Sequence, residues 1–237
     1  MILMIALITG ANKGIGHEIA RLLGERGVTP IVGARDEKRG REAADRLGAP
    51  YVRLDVTDAA SVAAAAKQIE EEHGRLDILV NNAGIIVHGE DSRPSATPLE
   101  AVRRTYEVNV FGVITVTNAM LPLLRRAPAA RIVNMSSELG SLTLTTNPDT
   151  PWYDYVELGY NSSKAALNMV TVSYAKELRD TPIKVNAANP GYCATDLNAH
   201  QGFRTAEQGA AIAVELALLG DDGPSGAFLQ DEGPLPW

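Results

Sequence analysis

Tyr160 and Lys164 stand four positions apart in the stretch Tyr160-Asn161-Ser162-Ser163-Lys164. In a helix that spacing brings a phenol and an ammonium to one face, about a turn apart. The chain has seven tyrosines, and only Tyr160 has a lysine at the fourth position after it. A free phenol, with a pKa near ~10, exchanges protons poorly at neutral pH. A fixed cation beside it favours phenolate and brings the group toward acid/base work. Taken alone, the pair also reads as a packed tyrosine followed by a solvated lysine, so the rest of the chain must decide.

The elements that would position these groups alternate. Residues 2–9 form an apolar run, as expected of a parallel strand covered on both faces. The turn Thr9-Gly10-Ala11-Asn12-Lys13-Gly14-Ile15-Gly16 follows, and then a helical pattern through Ile19, Leu22 and Leu23. A strand, a glycine turn and a helix N-terminus together suit a dinucleotide pyrophosphate, although a tight turn needs the same glycines. Val28–Val32 reads as a second strand ending at Gly33-Ala34-Arg35-Asp36. An acid at this place accepts from the ribose of NAD, and a cation accommodates the 2′-phosphate of NADP. Arg35 with Lys13 points to NADPH; Asp36 facing the ribose would favour NAD.

Further strands are expected at 51–54, 76–80, 131–135, 183–187 and 226–229, and helices at 37–47, 59–72, 98–124, 160–180 and 206–219. Pro122 is expected to bend or break the helix 98–124. Asp55 ends the third strand, where it suits an adenine amino group; Thr57 or Asp58 suits a helix cap. Asn81-Asn82-Ala83-Gly84 ends the fourth, where small residues admit a flat cofactor and Asn81 alternatively braces the sheet. Asn109, among apolar residues, requires a partner or a water. Ser136-Ser137 ends the fifth strand, where open α/β sheets bind ligands, or where a serine caps a turn. The alternation predicts an α/β, Rossmann-type doubly wound parallel sheet of about seven strands, with helices on both faces, in one domain spanning 1–237.

Composition narrows the function classes. A net charge of −7 with no Lys/Arg run argues against nucleic acid. Cys193, the only cysteine, excludes an internal disulfide and suits a reducing, cytoplasmic setting. The apolar start is too short for a membrane span and lacks a basic leader. His17, His73, His88 and His200 are dispersed, so no metal site is expected.

In order along the chain, Thr9-Gly10-x-x-x-Gly14-x-Gly16, Asn81-Asn82-Ala83-Gly84, Asn109, Ser137, Tyr160-x-x-x-Lys164 and Pro190-Gly191 with Thr195 resemble the short-chain dehydrogenase/reductase family. Asn12-Lys13, Ala34-Arg35-Asp36, Pro190-Gly191-x-x-x-Thr195-Asp196, the enlarged segment before the tyrosine and the tail Gly233-Pro234-Leu235-Pro236-Trp237 resemble its carbonyl-reductase branch. The resemblance implies that Tyr160 gives a proton to a carbonyl oxygen and that Lys164 lowers the tyrosine pKa and bonds the nicotinamide ribose. It implies that Ser137 steadies the substrate oxygen and that Asn109 holds a water linking Lys164 to solvent. It places the cofactor against Gly10, Asn12, Lys13, Gly14, Ile15, Gly16, Arg35, Asp55, Val56, Asn82, Ala83, Gly84, Tyr160, Lys164, Pro190, Gly191 and Thr195. The implied activity is NADPH-dependent reduction of a small ketone, aldehyde or quinone. An NAD-linked alcohol dehydrogenase and a non-catalytic NADPH-binding regulator are the alternatives. Family members commonly pair through the helices near 100–127 and 160–180, so a dimer or tetramer is implied, with a monomer if the segment 138–159 obstructs that surface. This segment departs from the family pattern: 23 positions separate Ser137 from Tyr160 (160 − 137). Its Trp152, Tyr153 and Tyr155 either wall the substrate pocket or pack on one another as a flap. Ser137 is favoured over Ser136 as the catalytic serine.

Overall fold

The computed structural model describes residues 4–88 and 93–237. Among the described residues, eight strands form one sheet, ordered β3-β2-β1-β4-β5-β6-β7-β8. The strands are β1 (Ile5–Thr9), β2 (Thr29–Ala34), β3 (Tyr51–Arg53), β4 (Ile78–Asn81), β5 (Arg131–Met135), β6 (Lys184–Ala188), β7 (Phe228–Gln230) and β8 (Gly233–Pro234). The first seven run parallel; β8 turns back against β7. This two-residue return is the strand beyond the expected seven, too short to leave a sequence pattern. Residues 2 and 3 of the expected first strand lie outside the described residues.

Alternation along the strands divides the core into two layers. Leu7, Ile31, Leu79 and Ile132 join one apolar cluster. Their neighbours Ile8, Val32, Val80 and Val133 join the other. Successive side chains leave opposite faces, so a fully apolar strand seals both layers at once. Helices α3 (Ala59–His73), α5 (Gly112–Leu124) and α7 (Leu158–Glu177) cover the first layer. Helices α1 (Gly14–Glu25), α2 (Glu37–Leu47) and α8 (Ala206–Ala217) cover the second. The chain reverses its winding between β1 and β4, which makes their carboxyl ends the crevice of the fold.

The expected long helix 98–124 is three pieces. Helix α4 (Leu99–Tyr106) passes into a π-helical turn, Glu107–Phe111, and then into α5. The Gly112 N–H reaches back five residues to the Glu107 carbonyl. Pro122 does not break the helix. It lies in the last turn of α5, where little helix remains to deflect. By length and composition the whole run is apolar enough to cross a membrane. Its apolar face, however, is spent on the core through Val116, Met120, Leu123 and Leu124.

Caps fix where helices begin. Asp58 accepts the N–H groups of Ala60 at 2.9 Å and Ser61 at 3.3 Å, so α3 starts there. Helix α6 (Leu142–Thr145) starts with the Ser141 hydroxyl accepting from Leu144 N–H at 3.1 Å. Asp58→Ala is expected to cost about 1 kcal/mol and to lower Tm by about 2–4 °C; thermal unfolding followed by circular dichroism checks it.

Candidate active site

The glycine turn closes tightly on the end of β4. Gly10 and Gly14 take φ of 66° and 57°, a left-handed backbone that side chains disfavour. A Cβ on Gly10 would meet the Ala83 Cα at 3.1 Å, and one on Gly16 would meet the Gly10 carbonyl at 2.7 Å. Asn82 holds this approach: its Nδ2 donates to the Thr9 carbonyl at 2.9 Å, and its N–H donates to the Thr9 hydroxyl at 3.0 Å. Helix α1 has no side-chain cap, and its first ladder bond runs from His17 N–H to the Lys13 carbonyl at 3.3 Å. The amides of Gly14, Ile15 and Gly16 precede that bond. Free amides, the positive end of the helix dipole and absent side chains fit a pyrophosphate.

The residues expected at the adenosine end are only partly arranged as the sequence suggested. Asp36 caps α2 by accepting from Arg39 N–H at 3.0 Å, while Arg35 is exposed and its side chain has no ion pair among the described residues. Lys13 does not lie free beside Arg35. It is ion-paired with Asp196, holding the glycine turn to the loop after β6. The Asp55 carboxylate accepts from Thr57 N–H at 3.0 Å and the Thr57 hydroxyl at 2.8 Å, a local turn that anchors Val56 beside Gly112. Thr195 approaches Gly14 at 3.8 Å, measured from a built Cβ, and Gly191 is fixed by the Asn189 carboxamide at 3.2 Å. The two sides of the crevice therefore meet across the expected cofactor residues.

The acid/base groups converge from β5, α7 and the π turn. Ser136 is buried and donates to Asn168 Oδ1 at 2.6 Å. Ser137 begins the 3-10 turn Glu138–Gly140, accepting from Leu139 N–H at 3.2 Å, and its hydroxyl partners Tyr160. Gly140 lets that turn lie directly on α7, since a Cβ there would meet the Lys164 carbonyl carbon at 2.6 Å. Asn168 also donates to the Gly140 carbonyl at 3.3 Å. Gly140 and Asn168 escaped sequence reasoning, although Tyr160, Lys164 and Asn168 share one helical face at spacings of four.

Lys164 is buried and donates to the Met135 carbonyl at 2.8 Å, with its nitrogen 5.5 Å from the centre of the Tyr160 ring. Burial lowers the Lys164 pKa to about 8. Burial also pushes the Tyr160 phenol up to about 12; the Ser137 hydrogen bond pulls it down, and nearby Tyr155 pushes it further up. Against the expected lowering by Lys164, burial dominates here, because it disfavours the charged phenolate. The Asn109 side chain is engaged within the protein. Its Oδ1 accepts from Ile85 N–H at 2.9 Å, and its Nδ2 donates to the Ile85 carbonyl and the Ser163 hydroxyl, each at 3.0 Å. Both amide protons of the side chain are used to brace the loop after β4 against α7.

The model of the family described as short chain dehydrogenase matches residues 4–205. The chain belongs to the short-chain dehydrogenase family. It is an oxidoreductase of the class that interconverts C–OH and C=O groups. Among relatives, (-)-isopiperitenone reductase of Mentha piperita is 34% identical, with 97% of each chain covered. That alignment extends over 307 positions against the 237 residues of this chain, so the plant protein carries segments this one lacks. Among solved structures, NADPH-bound carbonyl reductase from chicken fatty liver superposes with a TM-score of 0.86 at 30% identity over 100% of both chains. Salutaridine reductase from Papaver somniferum gives 0.82 at 30% identity, covering 96% of this chain and 99% of its own.

The two serines separate by experiment. Ser137→Ala is expected to lower kcat by about 10²–10³, the scale of losing one donor to a developing oxyanion, with little change in Tm. Ser136→Ala should instead lower stability by about 1–3 kcal/mol, through the buried Asn168 left without its partner. Steady-state kinetics and thermal melts on both variants check the contrast.

Proposed function

We propose that the chain reduces a ketone, aldehyde or quinone with NADPH, Tyr160 giving the proton. The carrying observation is the Tyr160 phenol, pushed up to about 12 by burial, beside the Ser137 hydroxyl and one helical turn from Lys164. A phenol of that pKa keeps its proton throughout the neutral range, which suits a donor in reduction better than a base in alcohol oxidation. The similarity to the reductases above supports the same direction.

NADPH, when bound, supplies the hydride. This chain supplies position and proton. Gly10, Asn12, Gly14, Ile15 and Gly16 would hold the pyrophosphate, and Arg35 the 2′-phosphate, Asp36 being committed to its helix. Asp55 and Val56 would border the adenine. Asn82, Ala83 and Gly84 would face the far side of the ring system, with Pro190, Gly191 and Thr195 opposite. Ser137 orients the substrate oxygen, Tyr160 protonates it, and the Lys164 ammonium offsets the charge left on the phenol. Lys164 has protons beyond the one given to Met135, and these suit the nicotinamide ribose hydroxyls. A water path to Lys164, if it passes Asn109, uses that segment's main chain, because the amide protons of the side chain are occupied.

The test is loss of reduced-nicotinamide absorbance with NADPH or NADH across quinones, aromatic aldehydes and diketones. Turnover preferring NADPH, abolished in Tyr160→Phe while NADPH still binds, is the expected result; turnover retained in Tyr160→Phe would remove Tyr160 as donor. Arg35→Asp should move the cofactor preference toward NADH. The kcat/KM for NADPH should hold steady up to about pH 8, where Lys164 is protonated, and decline above it as the ammonium is lost. A pH–rate profile between neutrality and alkaline pH checks the sign.

A further inference from the structure

Glu138 directly follows Ser137, and its side chain is half-buried. Its hydrogen-bond partner is the indole of Trp152, which lies in the enlarged segment before Tyr160. Trp152 meets Tyr192 with ring centres 6.3 Å apart at 69°, and Tyr192 meets Phe203 at 6.0 Å and 65°. Three segments thus send one ring each to the same place. Tyr155 lies within electrostatic reach of both Tyr192 and Tyr160, which sets this group at the border of the reacting hydroxyl.

Two features decide what such a corner holds. Neighbouring rings are steeply tilted, so neither touching pair offers parallel faces between which a flat ring would slide. The carboxylate has no ion pair among the described residues. Arg204 is the cation among the described residues whose field reaches it, and Arg204 is bonded to Asp231. Glu232 adds further negative charge nearby. A half-buried carboxylate without a paired cation leaves its charge available to a ligand. Tilted aromatic walls with a carboxylate are the recognition chemistry of an alkylated ammonium.

We propose that Glu138, Trp152, Tyr192 and Phe203 form a subsite for a cationic nitrogen carried by the carbonyl substrate, which makes the preferred substrate an amino ketone or amino aldehyde. The inference rests on the reductase reading for the reacting group. The cation seats between the rings and the Glu138 carboxylate, while the carbonyl reaches Ser137 and Tyr160. Burial raises the Glu138 pKa, opposed by the Trp152 hydrogen bond and reinforced by Glu232, as expected of a carboxylate lacking its cation.

The test uses two aryl ketones of equal shape, one bearing a trimethylammonium group and the other a tert-butyl group. Their Kd values are measured by calorimetry on the NADP⁺-loaded protein at fixed ionic strength, where no reduction can follow, and their turnover is measured separately with NADPH. The ammonium ketone should bind roughly tenfold tighter, the scale of one partly desolvated cation contact. In Glu138→Gln, which keeps an acceptor for the Trp152 indole, the ratio should shrink to within about twofold. Trp152→Leu should shrink it as well, and serves if the first variant fails to fold. Equal Kd values in the native protein, an undiminished ratio in the variants, or no binding of either ketone would each overturn the subsite. Equal Kd values with turnover of both ketones would overturn it and leave the reductase standing; preferential binding without turnover would sustain the subsite and overturn the reductase.

Discussion

An ammonium group enclosed in protein is expensive unless its protons are engaged, and the candidate site of this fold is arranged around one. Lys164 reaches the carbonyl of Met135, the last residue of β5. That bond ties α7 to the end of β5, and Gly140 removes the side chain that would hold the turn after β5 away from α7. Once α7 is seated, Tyr160 and Asn168 follow on the same face, and Ser136 and Ser137 are sorted by it. One serine turns in to Asn168 and the other out to Tyr160. Burial then acts on both titratable groups alike, favouring the uncharged form of each. The phenol keeps its proton more firmly and the amine loses its own more readily.

That pair shows where sequence reasoning stops. The spacing of Tyr160 and Lys164 reveals a shared helical face, and a charge argument applied to it gives a lowered phenol pKa. The opposing desolvation depends on how completely the surrounding chain excludes water, which no local pattern encodes. The strands were legible for the opposite reason. A parallel strand sealed on both faces is mostly apolar, so β1 and β4 announce themselves, with ends set to within a few residues. The π turn was not legible, because an apolar run such as Leu99–Leu124 carries no mark of a changed hydrogen-bond step. Pro122 drew attention to the wrong place.

The asparagines show the same limit. An amide among apolar residues demands partners, but the partners are remote. Asn109 binds Ile85 and Ser163, and Asn81 donates to Thr117 at 3.1 Å and to Asn134 at 2.8 Å. Asn134 in turn donates to Thr171 at 2.9 Å. These contacts join β4, β5, α5 and α7 through the interior, so the expected bracing by Asn81 is found, without its partners having been foreseeable. Buried polar networks of this kind hold elements to one arrangement, since a shifted register would leave several amides unmatched at once.

In the reading proposed above, the proton chemistry and the substrate wall are built from different parts of the chain. Ser137, Tyr160 and Lys164 are tied to the sheet and to α7. Trp152, Tyr192 and Phe203 belong to loops, and the loops are tied chiefly to one another and to the tail. Arg204 bonds Asp231, Thr143 donates to the Trp237 carbonyl at 2.8 Å, and Trp237 stacks on Phe228 with ring centres 5.5 Å apart. The C-terminal segment therefore links the enlarged segment before Tyr160 with the last strands of the sheet. A substitution in this outer layer can alter which carbonyl compound is admitted while the buried ammonium and its strand stay in place. A substitution at Gly140 or Asn168 cannot, because the turn bearing Ser137 and Glu138 rests directly on α7 and any displacement there reaches Tyr160 first.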